Sequence, residues 1–538
     1  MNRGTNRNKG KKVLILDAGE APYALVAARS LGSAGYNVVL GFPHSTPIFE
    51  SYSKYCKGYV TYPDPSYALE DFHAFMLNQA DKYDFILPLM EKTQLATSMI
   101  KDELEKEGAV IPIPSYHILS IAVNKIAILE LASKLHITIP KTLIVYDEPK
   151  FNEVIKELGI PFVMKISTEI NVPPGKRHFI IRKASEKQFI EKFRRLQKYE
   201  VPIIIQEYID GIGIGASFIF SRSNKLIALF GHRRILEQYP DGGPSAIAET
   251  FFHLDALKQG YKLLKALKWQ GVAMTEFKLS KDGKVYFMEL NPRFWGTLPL
   301  SIASGLDFPR LLVEYYEKEE RNTKVLNFKL KTFVSIDGLG LFVLTSKSKI
   351  SAFKKIFASI PHIFKYGIPV VRELYPGDIS PEAKRIIHRI KGYIYKNHVA
   401  KIDDILFGPA IDYQKLINFD VKSVVNLCKE CPTVNIDILR KFGISYYSFP
   451  IEDDSAPSID VFVSLIEQID KLLKRGPVFI HCRLGIGRSP MVVIGYLISK
   501  GFSIDKAYSI IYSVRPSTSL NIIQKKMIYN LYKFYNYK

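Results

Sequence analysis

Cysteine is scarce in this chain. Only Cys56, Cys428, Cys431 and Cys482 occur in 538 residues, too few for a disulfide framework, so a reducing, cytoplasmic setting is expected. Cys428 and Cys431 form a lone C-x-x-C with no second Cys or His pair at zinc spacing. They are expected to be buried or loop thiols, with a redox switch for Cys482 as the alternative. No apolar run approaches the ~20 residues needed to cross a bilayer. The basic start, Met1 to Lys12, followed by apolar Val13 to Leu16, imitates a signal peptide, but Asp17 and Glu20 interrupt it too early. The first strand-helix-strand pattern has Gly19 alone where a dinucleotide site would carry G-x-G-x-x-G, so no nicotinamide cofactor is expected. Acid is short as well: 53 Asp and Glu against 74 Lys and Arg leave a net charge of +21. The basic residues are spread along the chain, which suits phosphorylated small molecules as well as any polyanion. No nucleic-acid motif stands out, and nucleic acid is not an expected partner.

Against these absences stands one dense stretch, Pro477-Val-Phe-Ile-His-Cys-Arg-Leu-Gly-Ile-Gly-Arg-Ser489. Val478 to Ile480 reads as a buried strand, and Ser489 to Ser499 as an apolar helix. Gly485 and Gly487 let the loop Arg483-Leu484-Gly485-Ile486-Gly487 curl so that successive N–H groups point inward at the helix N-terminus. An anion should sit there, above Cys482, and the same positive end favours a thiolate. Arg488 offers a planar fork for two phosphate oxygens, a geometry Lys cannot reproduce. Attack of that sulfur on phosphorus would form a cysteinyl-phosphate.

The pattern His481-Cys482-x-x-Gly485-x-x-Arg488-Ser489 resembles the signature of the cysteine-dependent tyrosine and dual-specificity phosphatases. The resemblance implies that Cys482 is the nucleophile and that Ser489 hydrogen-bonds the thiolate as it leaves. It also calls for an acid that protonates the leaving group, worth about 10²–10⁴ in rate. In the loop Glu452-Asp453-Asp454-Ser-Ala-Pro457, Asp453 aligns best with the family's P-x-x-D pattern from Pro450, with Asp454 second. Ser458 is expected to cap the helix that follows. Val424 to Leu427, Arg515-Pro516 and a helix from Leu520 resemble the family too. A phosphorylated protein or a phosphorylated small molecule would be the substrate.

Upstream, Asn124-Lys125 opens a helix, and Ile160 to Ser167 reads as a strand carrying Lys165 among apolar neighbours, which is costly unless an anion such as phosphate pairs with it. The loop Asn171 to Arg177 could close over that phosphate. Ile203 to Glu207 is a strand running into a hinge. Met274-Thr-Glu276-Phe-Lys and Val285 to Arg293 read as a hairpin turning at Asp282-Gly283. Glu289 and Asn291, two apart, share one strand face, and Glu276 can lie beside them, giving three oxygen ligands that suit Mg²⁺ on nucleotide phosphates. Glu91 sits just past another parallel strand, where α/β sheets carry ligand contacts. Arg233 and Arg234 are either carboxylate or phosphate clamps or a solvated charge run.

Residues 11 to 325 resemble the ATP-grasp superfamily, in its carbamoyl-phosphate-synthase or biotin-carboxylase-like branch, in the order Lys125, Lys165, Gln206-Glu207-Tyr208, Glu276, Glu289-x-Asn291-x-Arg293. The resemblance implies that Lys125 and Lys165 hold ATP phosphates and that Gln206, Glu207, Tyr208 and Ile209 hold the adenosine. Glu276, Glu289 and Asn291 would hold Mg²⁺, with Mn²⁺ as a substitute, and Arg293 would neutralise the transferred phosphate. Such enzymes make an acyl phosphate from a small-molecule carboxylate and ATP and pass it to an acceptor. A small-molecule kinase, or a nucleotide-sensing scaffold attached to a protein phosphatase, are the alternatives.

The expected fold is therefore multidomain α/β: a basic arm (1–12), a pre-ATP-grasp α/β domain (13–113), an α+β ATP-grasp domain (114–325), a linker region (326–398) and an α/β cysteine-phosphatase domain (399–538). Within the linker region, Phe353, Ile356, Phe357 and Ile360 recur at helical spacing among lysines. That helix is expected to pack its apolar face on a neighbouring domain, with contact to an anionic membrane as the alternative.

Overall fold

The computed structural model describes residues 10–168, 177–317, 328–411, 416, 418–430 and 436–536. Residues 171–176 of the expected phosphate-covering loop, and Cys431, lie outside the described residues. The chain forms two units: one runs to Gly41, takes in Glu50–Val60 and continues over Glu70–Ile379, and the other joins Phe42–Phe49 and Thr61–Leu69 to the chain from Ser380. Among the described residues, no single helix is long and apolar enough to cross a membrane.

The first unit contains three sheets. Strands β1 (Lys12–Ile15), β2 (Asn37–Pro43), β3 (Cys56–Tyr62) and β4 (Phe85–Leu87) lie in the order β3-β2-β1-β4, with β1 parallel to β2 and to β4. Val13, Leu14 and Ile15 are fully buried, as a continuous apolar run in a parallel strand requires. Strands β5 (Thr142–Val145), β6 (Phe162–Ile166), β7 (His178–Ile181) and β8 (Ile203–Glu207) form an antiparallel sheet in the order β5-β8-β6-β7. The helix Glu186–Gln197 fills its core with Phe189, Phe193 and Leu196.

The third sheet comprises β9 (Gly211–Phe220), β10 (Leu226–Tyr239), β11 (Gly242–Thr250), β12 (Gly271–Ser280), β13 (Val285–Asn291), β14 (Thr332–Val334) and β15 (Val370–Val371), in the order β13-β12-β9-β10-β11-β14-β15. Two sequence expectations are corrected here. Residues 328–379 are not linker, because β14 and β15 extend this sheet. The helix Lys349–Phe364, capped by Ser348, does not bury its large apolar face. It packs through Ala352 and Ser359, and Phe353, Phe357 and Ile360 are exposed.

The second unit is built on β16 (Ala400–Ile402), β17 (Ile405–Pro409), β18 (Ser423–Cys428), β19 (Ser445–Ile451) and β20 (Val478–Cys482), in the order β16-β17-β20-β18-β19. Central β20 runs parallel to β17 and β18 and is buried throughout. The helix Arg488–Ser499 leaves its C-terminal end and is itself almost wholly buried. Gly495 makes that possible, since a Cβ there would stand 2.8 Å from Phe462 and 2.9 Å from Leu531 on the two helices that flank it. Two smaller expectations fail in this unit. Cys428 is disulfide-bonded rather than a thiol, while Cys56 and Cys482 are free. Ser458 does stand at the N-cap of the helix Ile459–Leu473, but its side chain makes no capping bond.

Candidate phosphate sites

In the second unit, the turn between β20 and the helix Arg488–Ser499 is held open by its carbonyls. Arg483 O accepts from Ala410 N at 3.3 Å and Ile486 O from Ser519 N at 2.8 Å. Leu484 O accepts from Arg515 Nη2 at 3.3 Å, and Gly485 O accepts from Arg515 Nε. Buried Arg515 also donates to His398 O at 2.7 Å and Lys396 O at 3.1 Å. With four successive carbonyls engaged outward, the N–H groups are left for the centre, where Gly485 N donates to Cys482 Sγ at 3.3 Å. Gly485 sits at φ +67°, and a Cβ would come within 2.2 Å of the Gly408 carbonyl carbon, so left-handed strain and a backbone clash both demand glycine.

Ser489 Oγ lies 3.5 Å from Cys482 Sγ and donates to Gly408 O at 3.1 Å. His481 stacks on Phe479 with ring centroids 5.4 Å apart. Burial pushes its imidazole down to about 4, against a hydrogen bond with the Cys482 backbone that works the other way, so at neutral pH the ring brings no charge under the cradle.

Arg488 is 2 % exposed, and buried charge must be paired. Nη1 donates to Ile451 O at 2.7 Å and to Glu430 Oε2 at 2.9 Å, Nη2 donates to Glu430 Oε1, and Asp453 Oδ1 is 3.0 Å from Nη2. The Arg488 hydrogen bond holds the Glu430 carboxyl down at about 2. Among the described residues, Nε makes no hydrogen bond, so one edge of the guanidinium remains for an anion while Glu430 grips the other. No sequence signal marks Glu430, a charged residue past the end of a strand. Asn521 Nδ2 donates to Asp454 O at 2.7 Å and Gln524 Nε2 to Ser455 O at 3.3 Å, which ties the Asp453 loop to the C-terminal helix.

The second cluster lies in the first unit. Asn124 caps the helix Lys125–Lys134 with its side chain, and Lys125 N donates to Ser167 O at 3.1 Å, anchoring that helix start to the end of β6. In the β12-β13 hairpin Glu276 is the cross-strand partner of Glu289, and Asn291 lies opposite Met274. Asn291 Nδ2 donates to Glu289 Oε1 at 3.1 Å, and Lys125 Nζ lies 3.4 Å from Glu289 Oε2. Burial works to raise the Glu289 carboxyl, but Lys125, Lys165, Asn291 and Arg293 together bring it down to about 2. Lys165 is 9 % exposed. Arg293 Nε is 3.5 Å from Glu91, and Glu91, Lys125, Glu289 and Asn291 line one cleft.

Glu276 differs. Burial raises its carboxyl and Arg234 opposes that, with Glu289 and Glu237 adding like-charge repulsion. Arg234 Nη2 stands 2.5 Å from Glu276 and Nη1 3.2 Å from Glu237, while Arg233 pairs with buried Glu249. Both arginines therefore clamp carboxylates of their own chain and do not form a solvated run. Two half-buried carboxylates paired across the hairpin, with an amide oxygen nearby, suit a hard divalent cation, which would relieve the repulsion that Arg234 now offsets. Among the described residues there is no group of three His, Cys, Asp or Glu side chains that could hold a metal.

The hinge is the least assembled part. Gln206 is buried and donates to Thr142 Oγ1 at 2.8 Å. The Glu207 carboxylate accepts from Lys141 N at 2.8 Å, Glu207 N donates to Lys141 O at 3.0 Å, and Tyr208 N to Pro161 O at 3.3 Å. The groups expected to meet adenosine at Glu207 and Tyr208 are thus used within the fold. Among the described residues, Ile209 N makes no such bond.

Comparison with known proteins agrees with these two constructions. Residues 408–534 match the family model described as dual specificity phosphatase, catalytic domain. Residues 202–335 match the one described as ATP-grasp in the biosynthetic pathway with Ter operon. The chain is 27% identical over 232 residues to the carbamoyl phosphate synthase large chain of Clostridium acetobutylicum, covering 40% of this chain and 20% of that one. It is 34% identical over 79 residues to phosphatidylglycerophosphate phosphatase PTPMT1 of Arabidopsis thaliana, covering 14% of this chain and 23% of that one. The chain therefore spans less than a quarter of either relative. Among solved structures, N5-carboxyaminoimidazole synthetase from Staphylococcus aureus complexed with ADP superposes with a TM-score of 0.48 at 17% identity, covering 60% of this chain and 82% of that one. The polypeptide joins an ATP-grasp domain to a C-terminal dual-specificity phosphatase catalytic domain.

Proposed function

We propose that the protein is a bifunctional enzyme, a phosphomonoester hydrolase in its second unit and an ATP-dependent carboxylate ligase in its first. The observation that carries the first half is the Cys482 sulfur receiving the Gly485 N–H at 3.3 Å within a loop whose carbonyls are all turned away. A phosphate seated there would meet inward N–H groups and the open edge of Arg488. Cys482 Sγ forms a bond to phosphorus as the ester oxygen departs, and Asp453 gives that oxygen its proton. Water then attacks the cysteinyl-phosphate, and Ser489 donates to the sulfur as it leaves. Cys482→Ser should reduce p-nitrophenyl phosphate hydrolysis to background, and retained turnover would refute the assignment. The similarity to a phosphatidylglycerophosphate phosphatase makes a lipid phosphomonoester the first natural substrate to assay beside phosphopeptides.

For the first unit, Lys125, Lys165 and Arg293 around Glu289 support binding of nucleotide phosphates. Magnesium, held by Glu276, Glu289 and Asn291, would supply charge neutralisation between those phosphates. The chain's own part is to present the lysines, to release Glu276 from Arg234, and to leave Arg234 facing the acceptor. Transfer of the γ-phosphoryl group to a small-molecule carboxylate would give ADP and an acyl phosphate, whose carbonyl carbon an amine or similar acceptor attacks, expelling inorganic phosphate. Hydroxylamine added during ATP turnover should trap that species as a hydroxamate, and a stable phosphorylated product instead would identify a kinase. Catalysis needs Cys482 as a free thiol, which suits the reducing cytoplasm, although Cys428 is disulfide-bonded.

A further inference from the structure

The helix Lys349–Phe364 is amphipathic in an inverted sense. Its inner side centres on two small buried residues, Ala352 and Ser359, with Ile356 and Ile363 half-buried beside them. Its outer side carries Ile350, Phe353, Phe357, Ile360 and Phe364, spaced 3, 4, 3 and 4 along the chain, which at 3.6 residues per turn places all five on one ridge. Their exposure runs from 40 % at Ile360 to 72 % at Ile350. Leu344, 73 % exposed, and Ile368, 86 % exposed, lie in the segments just before and after the helix. A soluble surface rarely presents so many large apolar side chains side by side, and such a patch marks an interaction site.

Charge identifies the occupant. From Gly338 to Arg372 the sequence contains no Asp or Glu, while it holds Lys347, Lys349, Lys354, Lys355 and Lys365, Lys354 next to the ridge on the helix and Lys355 turned toward Phe342. Lys347, Lys354 and Lys355 are exposed, and Lys365 Nζ lies 3.7 Å from Glu249 Oε1. Lys349 Nζ donates to Val343 O and Leu344 O, both at 2.7 Å, and to Ser346 O at 3.2 Å, fastening the preceding helix Ile336–Thr345 so that Leu344 stays with the ridge. A second copy would set lysines against lysines, and a protein partner gains no reciprocal acid-base pairs from a surface without carboxylates. A bilayer bearing anionic headgroups satisfies both halves, taking the phenylalanines roughly 5–10 Å below the headgroups and the lysines at the phosphates.

We propose that this ridge is a reversible docking surface for an anionic membrane. The test floats the full-length protein with vesicles of phosphatidylglycerol mixed into phosphatidylcholine, and with phosphatidylcholine alone. The protein should float with the anionic vesicles only, and be released as salt is raised through the range where the screening length shortens. The double variant F353D/F357D should lower the bound fraction about tenfold or more. K354E/K355E should lower it several-fold and flatten the salt dependence. Because all four side chains are exposed, both variants should keep the wild-type melting temperature, which confirms that they fold. Equal flotation with neutral vesicles, no flotation at all, or unchanged binding by F353D/F357D would overturn the proposal. So would a concentration-dependent dimer in light scattering that F353D/F357D dissociates, since the ridge would then belong to a second copy.

Discussion

On the proposed function, the cradle of the second unit and the cluster around Glu289 in the first would both receive phosphate, and they are built by opposite routes. In the cradle, nucleophile, anion donors and cation fall within the nine residues His481 to Ser489, and its geometry is rigid because buried Arg515 and Gly485 fix the backbone. The cluster in the first unit draws Lys125, Lys165, Glu276, Glu289 and Arg293 from a helix start, three strands and the bend after the last of them. Its charges are balanced by side chains that a ligand would have to displace, Arg234 above all. Local backbone geometry thus defines the first site, and strand register with mutual charge compensation defines the second.

Substitutions can break that contrast. The largest effect is expected for Asp453→Ala, which should lower turnover of an alkyl phosphate by about 10²–10⁴ while p-nitrophenyl phosphate, with its better leaving group, loses far less. Equal losses in steady-state assays would move the acid to Asp454. Next comes Glu289→Gln: removing the charge that Lys125 and Lys165 hold low should weaken Mg-ATP binding roughly 10–100-fold by calorimetry. An unchanged affinity would show that the register pair Glu276 and Glu289 is structural.

Glu430→Gln should cost only several-fold in kcat/KM, since the carboxylate is partly exposed and acts by aiming Arg488. A gain in affinity for inorganic phosphate would mean instead that Glu430 competes with the ligand. A separate effect, on stability and not on turnover, concerns His481, which lies at about 4 in the fold against an ordinary value of 6.5. As pH falls from about 6.5 to 4 the unfolded chain takes up a proton that the folded chain refuses, so stability present above this window is lost on acidification, by up to about 3 kcal/mol. Urea unfolding of His481→Asn should lack that component, and an identical pH slope would remove His481 from the account.

The legibility of the two sites differs for the same reason as their construction. A strand, two glycines and an Arg-Ser at a helix start can be read as a cradle because neighbours in sequence are neighbours in space, and the hairpin around Glu276 and Glu289 was legible because alternation fixes which side chains share a face. Glu430 was invisible, since nothing in an exposed loop announces that its carboxylate reaches a buried guanidinium. The hinge at Glu207 and Tyr208 was assigned to adenosine without sight of Lys141 and Pro161, whose backbone groups meet them.

Sequence alone determined where the sulfur, the glycines, the arginine fork and the paired carboxylates stand along the chain, because those follow from residue type and short-range periodicity. Only the tertiary structure decided that Arg234 guards Glu276, that Glu430 aims Arg488, and that the phenylalanines of Lys349–Phe364 face outward. Each of those depends on which residues, far apart in sequence, compete for the same buried space or the same charge. An amphipathic period tells that a helix has two faces, and the size of the residues on each, Ala352 and Ser359 against Phe353 and Phe357, settled which one the sheet could accept.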